Sequence, residues 1–137
     1  MIRAVIDPNV LVSAFISPGG SPPDRIVRAW AAGAFELVAS PLLISELVGV
    51  LARPKFEPQA GSGRAGAYVA ALTGGAVLVE DVPNPPRVCT DADDDYLFAL
   101  ARAAKASFIV SGDRHLLDLE TPDPSVLTPR EFVEHLG

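Results

Sequence analysis

The sequence predicts a three-layer α/β/α sandwich built around a mainly parallel central sheet. Three observations carry this expectation. The 137 residues are near the modal size of one domain, so residues 1–137 are read as a single unit with one core. An apolar share of 49% is ample for that core. Short β-rich apolar runs alternate with segments of helical period along the chain, and that alternation implies parallel strands with helices on both faces.

The strand candidates are Ile2–Val5, Phe35–Val38, Ala76–Val79 and Phe108–Val110, each bounded by polar or turn residues, with a short strand near Val126–Leu127. A helix is expected after Ser21, where Pro22-Pro23-Asp24 suits a first turn, carrying Ile26, Val27 and Trp30 until Gly33 ends it. A second starts with Ser40 as N-cap and Pro41 at its first position, buries Leu43, Leu47, Val50 and Leu51, and stops at Pro54. The segment Phe56–Gly63, with Pro58, Gly61 and Gly63, reads as a loop before a weaker helix over Ala65–Leu72. Asn84-Pro85-Pro86 reads as another loop. A helix from about Asp93 to Lys105 follows, and after the last strand Thr128-Pro129-Arg130-Glu131 forms a capping box that opens the final helix.

Charge and composition exclude several classes. Lys and Arg number 11 against 17 Asp and Glu, a formal charge of -6, which rules out a broadly basic, sequence-independent nucleic-acid binder. A nucleic-acid partner must therefore meet a local site. The single cysteine, Cys89, makes neither an internal disulfide nor a multi-cysteine zinc site and is expected as a small buried residue in a reducing cytosol. The start Met1-Ile2-Arg3 lacks an apolar signal region, and the uncharged stretches are broken by Pro or Gly before reaching the ~18 to 20 apolar residues of a span. A cytoplasmic protein with no membrane association is expected.

In open α/β sheets ligands gather beyond the carboxyl ends of the strands. Asp7 follows the run ending at Ile6, and Asp113 follows Val110-Ser111-Gly112; if those two strands are neighbours, both carboxylates face one crevice. Asp91, Asp93, Asp94 and Asp95 place four acids in five residues, more than a helix N-terminus needs, and their repulsion grows unless a cation neutralises it. With Leu97, Leu100, Ala101 and Ala104 as the buried stripe, helical phase favours Asp94 as inward and places Asp95 about 160° from Leu97, towards solvent. Glu46 lies at the edge of the Leu43/Leu47/Val50 stripe. Such a set is hard and oxygen-rich, suits Mg²⁺ or Mn²⁺ and not zinc, and serves metal-assisted attack of water on a phosphodiester. His115, alone after Asp113, reads as a surface residue. No Gly-x-Ser-x-Gly elbow, P-loop or Gly-x-Gly-x-x-Gly occurs.

Four ordered blocks resemble the PIN-domain ribonucleases: Val5-Ile6-Asp7-Pro8-Asn9-Val10-Leu11-Val12-Ser13-Ala14, Ser40-Pro41-Leu42-Leu43-Ile44-Ser45-Glu46-Leu47, Asp91-Ala92-Asp93-Asp94-Asp95-Tyr96-Leu97 and Ile109-Val110-Ser111-Gly112-Asp113. The resemblance spans residues 2 to 135 and is nearest to the VapC-like toxins of bacterial and archaeal toxin–antitoxin pairs. It implies a Mg²⁺- or Mn²⁺-dependent endoribonuclease acting on RNA, with metal ligands at Asp7, Glu46, Asp94 and Asp113. It also implies Asn9 as a supporting residue that orients Asp7, Ser111 as the helper of the last block, a small antitoxin protein as partner and a homodimer.

Two departures stand out: Pro8 sits where many members have Thr, and the Asp cluster leaves Asp91 and Asp95 as alternatives for the third ligand. Two rival readings stay open. One is a catalytically inert PIN-like domain that binds a partner protein. The other is a haloacid dehalogenase-type phosphatase, against which stand Asn9 in place of a second Asp and only Lys55 and Lys105 as lysines.

Overall fold

In a computed structural model describing residues 1–137, five parallel strands form one sheet: β1 (Arg3–Ile6), β2 (Glu36–Ala39), β3 (Val77–Leu78), β4 (Phe108–Val110) and β5 (Ser125–Leu127). The order across the sheet is β3-β2-β1-β4-β5, so the earliest strand is central. Pairing is parallel throughout, with Val5 opposite Val38 on one side and Ile109 on the other. The chain steps outward from β1 through β2 to β3, then returns past β1 to β4. Right-handed crossovers place helices of the outward steps on one face and the returning helix on the other.

On the first face lie α1 (Pro8–Ile16), α2 (Pro22–Ala31), α3 (Pro41–Leu51), α4 (Glu57–Ala60) and α5 (Arg64–Gly75), with α2 also packed against the last helix. The returning segment carries a 3-10 turn at Ala92–Asp94 and α6 (Asp95–Ala103), which packs on β1, β2 and β4. A single turn, α7 (Arg114–Leu117), and α8 (Pro129–Leu136) complete the chain. Twenty-six buried residues form one apolar cluster, in which Phe132 of α8 meets Phe35 edge-on at 5.0 Å between ring centres. No helix is long and apolar enough to cross a membrane.

The expected caps are present. Ser21 accepts from the Asp24 N–H and Ser40 from the Leu43 N–H, and Thr128 and Glu131 bond reciprocally at 3.1 and 2.9 Å. Strand ends differ from expectation by one residue at most. Within the expected loop Phe56–Gly63 the chain forms the tail of a 3-10 turn and the one-turn α4. The largest difference is α1. Its sequence Pro8-Asn9-Val10-Leu11-Val12-Ser13-Ala14-Phe15-Ile16 has no charged residue, and Pro8, Val10, Leu11, Val12 and Ala14 are all buried. A helix covered on most sides has no polar face and so shows no helical period.

Asp95 requires a correction. It does not face solvent: it is 1% exposed, its Oδ1 accepts the N–H groups of Val88 and Cys89 at 3.0 and 2.6 Å, and its Oδ2 meets Arg87 Nε at 2.9 Å. Residues 92–94 are a 3-10 turn and α6 begins at Asp95, so the phase of a regular helix from Asp93 does not apply. Residues 87–89 also fold back across that helix start, covering the side which the phase argument gave to water. Burial alone would raise the Asp95 pKa, but the Cys89 and Val88 N–H donors and the Arg87 charge outweigh it and hold the carboxyl below its ordinary value. Beside it the Cys89 thiol is buried as expected and pushed up to about 12, chiefly by that burial.

An acid with a lowered folded pKa contributes stability that is present above its unfolded value and lost as pH falls through the folded one. Asp95→Asn should therefore destabilise the fold at pH 7 by about 1–3 kcal/mol, the cost of leaving the buried Val88 and Cys89 donors imperfectly matched and the exposed Arg87 guanidinium without its carboxylate. The difference from the unaltered chain should shrink below about pH 4, near the ordinary carboxylate value. Chemical denaturation at pH 7 and pH 3 checks this, and equal stability at pH 7 would show that the Asp95 bonds contribute nothing.

Candidate metal centre

At the carboxyl edge of the sheet the chain parts in opposite directions from β1 and β4, which leaves a crevice between their ends. Asp7 occupies it because Pro8, with no N–H to donate to a strand, opens α1 at once and makes Asp7 its N-cap. The Asp7 N–H extends the β1–β4 ladder by donating to Val110 at 2.9 Å. Its carboxylate is only 7% exposed; Oδ1 accepts the Asn9 N–H at 3.0 Å and Oδ2 accepts the Ser111 hydroxyl at 2.8 Å. The Asn9 contact runs through the backbone, while its side chain stays exposed.

Ser111 is fully buried and works in two directions, since its Oγ also accepts the Asp113 N–H at 3.0 Å. Asp113 in turn caps α7 by accepting the His115 N–H at 2.9 Å. Asp7 and Asp113, 106 residues apart in numbering, are thereby fixed relative to each other through one hydroxyl.

Two further acids face this pair. Burial raises the Glu46 pKa, the charges of Asp7, Asp94 and Asp93 raise it further, and the Tyr96 phenol acts against them. Asp94, half-buried at the end of the 3-10 turn, is pushed up to about 6 by burial and then by the charges of Asp7, Asp91, Asp113 and Asp93. Asp7 itself is raised, by burial first and by Asp113 last, with the Asn9 and Ser111 bonds pulling against both. Asp91 is exposed and accepts the Asp93 N–H at 2.9 Å, a cap of the 3-10 turn. The structure thus brings Asp7, Glu46, Asp94 and Asp113 into mutual electrostatic reach and gives Asp95 to the Arg87–Cys89 segment.

No arginine or lysine forms an ion pair with any of those four; the pairs in the molecule are Arg3–Glu36, Arg28–Asp24 and Arg87–Asp95. Their charge is uncompensated by the protein. As the side chains stand, no three Asp, Glu, His or Cys groups meet the geometry of an ion-binding cluster. The donor chemistry nevertheless fits a hard divalent cation: oxygen ligands only, held close against their own repulsion, with His115 exposed and the Cys89 thiol bonded into the Asp95 surroundings.

Tyr96 is a site residue that the sequence reading passed over. It is 5% exposed, and its hydroxyl lies beside Glu46 without a partner in hydrogen-bonding geometry. Burial and the surrounding carboxylates raise its pKa, so the phenol stays protonated and keeps a donor for this crevice. Its position directly after three aspartates was the available signal.

Two polar clefts open from the carboxylates, one of about 370 Å³ past Asp7, Ser13 and Asp113, the other of about 330 Å³ past Glu46, Gly49 and Arg53; Asn9 lines both. A larger groove of about 520 Å³, lined by Val48, Leu51 and Val69 between α3 and α5, is apolar and has no carboxylate of the crevice in its walls.

Comparison with known proteins identifies the family and the fold. Residues 3–115 match the family model described as PIN domain. The uncharacterized protein MJ1680 of Methanocaldococcus jannaschii is 29% identical over 143 residues, covering 97% of this chain and 90% of that protein. Among solved structures, PAE2754 from Pyrobaculum aerophilum aligns over 98% of this chain and 95% of its own, with a TM-score of 0.68 and 16% identity. VapBC2 from Rickettsia felis, crystallised bound to a DNA fragment from its promoter, aligns over 93% of this chain and 98% of that one (TM-score 0.60, 14% identity). FitAcB from Neisseria gonorrhoeae aligns over the same shares (TM-score 0.55, 18% identity). The structural likenesses establish the fold, and the family match, over well more than half of the residues, establishes that this chain belongs to the PIN-domain family.

Proposed function

We propose that the protein is a Mg²⁺- or Mn²⁺-dependent endoribonuclease, the VapC-like toxin of a toxin–antitoxin pair, with the cation held by Asp7, Glu46, Asp94 and Asp113. The observation that carries this reading is the crowding of carboxylates from four separate segments with no protein cation among them. Such crowding costs folding stability, and a divalent ion offsets it. The likeness to VapBC2 and FitAcB supports a small antitoxin partner. The homodimer is what the family resemblance implies.

A bound divalent ion supplies charge for the scissile phosphate and a lowered pKa for attacking water. The chain's own residues do the rest. Ser111 donates to Asp7 Oδ2 while the Asn9 N–H donates to Oδ1, and the two bonds together hold the orientation of the carboxylate. The same hydroxyl, by accepting from the Asp113 backbone, sets the turn that presents Asp113. Tyr96 keeps its proton and offers a donor at Glu46, suited to orienting that carboxylate or a phosphate oxygen.

Two measurements test the reading. Asp7→Asn conserves volume and should lower single-stranded RNA cleavage by more than the ~10–100-fold typical of losing a supporting partner of a metal ligand. Its melting temperature in chelator should not fall, because repulsion among the remaining acids is relieved. Induced expression of the unaltered chain should arrest growth and that of the variant should not; an undiminished variant nuclease would refute the assignment, and an unaltered chain without cleavage would leave the inert, partner-binding reading.

The second measurement uses pH and metal together. An acid with a raised folded pKa contributes stability below its unfolded value and loses it as pH rises through the folded one, here between 3.8 and about 6 for Asp94. In chelator, Asp94→Asn should therefore gain on the unaltered chain as pH rises from about 4 to 7, by about 1–2 kcal/mol after allowing for partial exposure of the carboxylate. Mn²⁺ at a hundred times its dissociation constant should stabilise the unaltered chain by about 2.7 kcal/mol and reverse that order. Identical thermal melts with and without Mn²⁺ at pH 7 would remove the metal site.

A further inference from the structure

The nine arginines divide into two groups. Five are tied to the protein: Arg3 to Glu36 and the Ala104 carbonyl, Arg28 to Asp24, Arg64 to the Pro58 and Gly61 carbonyls, Arg87 to Asp95, and Arg102 to the Asp123 carbonyl. The other four, Arg25, Arg53, Arg114 and Arg130, are exposed and make no ion pair or side-chain hydrogen bond. Three of the four line clefts at or next to the carboxylate crevice. Arg53 lines the cleft that contains Glu46 and Asn9. Arg114 follows Asp113 in the chain. Arg25 and Arg130 face each other across a third cleft of about 330 Å³, with Glu134 as the acid in its wall.

Two of these clefts share a wall, and the third lies next to them along the chain. Asn9 belongs to both the Arg53 cleft and the one containing Asp7 and Asp113, and the latter also contains Pro23 and Pro129, the chain neighbours of the Pro22 and Arg130 that line the third. The result is a path with free guanidinium groups at both ends and the buried carboxylates between. In a protein of net charge -6, placing three of its four unpaired arginines along this path concentrates its attraction for anions there. A guanidinium presents a planar fork of donors that matches phosphate oxygens in pairs.

We propose that this path binds the phosphate backbone of single-stranded RNA, with Arg53 engaging a phosphate on one side of the scissile bond and Arg25 and Arg130 engaging phosphates on the other. The proposal rests on the endoribonuclease reading and extends it to the substrate's flanks. A single strand is required because Asp7 is 7% exposed, so the backbone must dip into the crevice between the flanking contacts, a bend that a stiff duplex resists. Arg53 and the Arg25/Arg130 pair are binding residues only; neither touches the four carboxylates through an ion pair.

The test uses a labelled, unstructured RNA of about twelve nucleotides and the full chain with Mg²⁺, carrying Asp7→Asn so that the RNA survives. Arg53→Ala and the double change Arg25→Ala/Arg130→Ala should each weaken binding at least fivefold near 0.1 M salt. Each should also reduce the slope of log affinity against log salt by about 0.7 per lost phosphate contact. Lys105→Ala, an exposed cation just before β4 at the opposite edge of the sheet, should change neither.

In the chain with Asp7 intact, Arg53→Ala should raise KM for the long RNA at least fivefold more than KM for a dinucleotide, because a dinucleotide carries only the scissile phosphate. Unaltered affinity and salt slope in both variants, with cleavage by the unaltered chain intact, would overturn the path and leave the nuclease reading standing. Equal losses on dinucleotide and long RNA would also overturn it, since they would place Arg53 in the site's structure. An unaltered chain that neither binds nor cleaves RNA would overturn both.

Discussion

The 2.8 Å hydrogen bond from Ser111 to Asp7 is the tie on which the carboxyl edge of the sheet depends. The Asp7 N–H has already bonded Val110, and the Ser111 N–H bonds Leu127, so the ends of β1, β4 and β5 meet around one hydroxyl. That hydroxyl is fully buried and has both its donor and its acceptor capacity in use. A cation in its place would pair with Asp7 and cancel the charge, and an apolar group would leave a buried carboxylate oxygen without a donor. A neutral donor fixes the carboxylate while leaving its charge in place. The crevice needs that combination, since rigidity must come without neutralisation if the charge is to be available to an ion.

Backbone geometry, more than residue type, separates the acids of the 91–95 cluster. Asp91 caps the 3-10 turn, Asp93 is exposed, Asp94 ends the turn half-buried and unpaired, and Asp95 starts α6 fully buried and paired with Arg87. Neighbouring carboxylates consequently move in opposite directions: Asp94 goes up to about 6 and Asp95 goes down. Asp95 makes this arrangement tolerable, because anchoring residues 87–89 across the start of α6 holds the turn that presents Asp94. One acid is spent on structure so that its neighbour can remain unpaired.

Much of this was legible in the sequence because strand ends are local features. A β-rich run followed by Asp-Pro or by Ser-Gly-Asp shows where a strand stops and a helix starts, and the parallel order then brings Asp7 and Asp113 together. Glu46 could be placed by its capped helix, since Ser40 and Pro41 fix the phase. The rest depends on what covers a segment. Helix α1 has no polar face because it is enclosed, and the exposure of Asp95 depends on residues 87–89, whose return across the helix leaves no periodic trace. Tyr96 and the free arginines were hidden for a related reason: an unpaired donor is defined by partners that are missing in space, and spacing along the chain does not report that.

The separation of free arginines from free carboxylates follows from what each needs. A guanidinium within ion-pair distance of Glu46 or Asp113 would stabilise the crevice, lower the raised carboxyl pKa values and weaken the attraction for a divalent ion, since one positive charge would already be supplied. The chain instead pairs Arg87 with Asp95 and Arg28 with Asp24, outside the four-carboxylate set, and leaves Arg53 in a cleft with Glu46 without an ion pair between them. Holding opposite charges close but unpaired is unfavourable for the fold by itself. On the proposed RNA path it would become favourable with a phosphate between them, since the anion would satisfy the arginine while the next phosphate faces the four acids. The stability forgone in the free protein would then be recovered on binding, with the interaction of arginine and acid running through the proposed substrate.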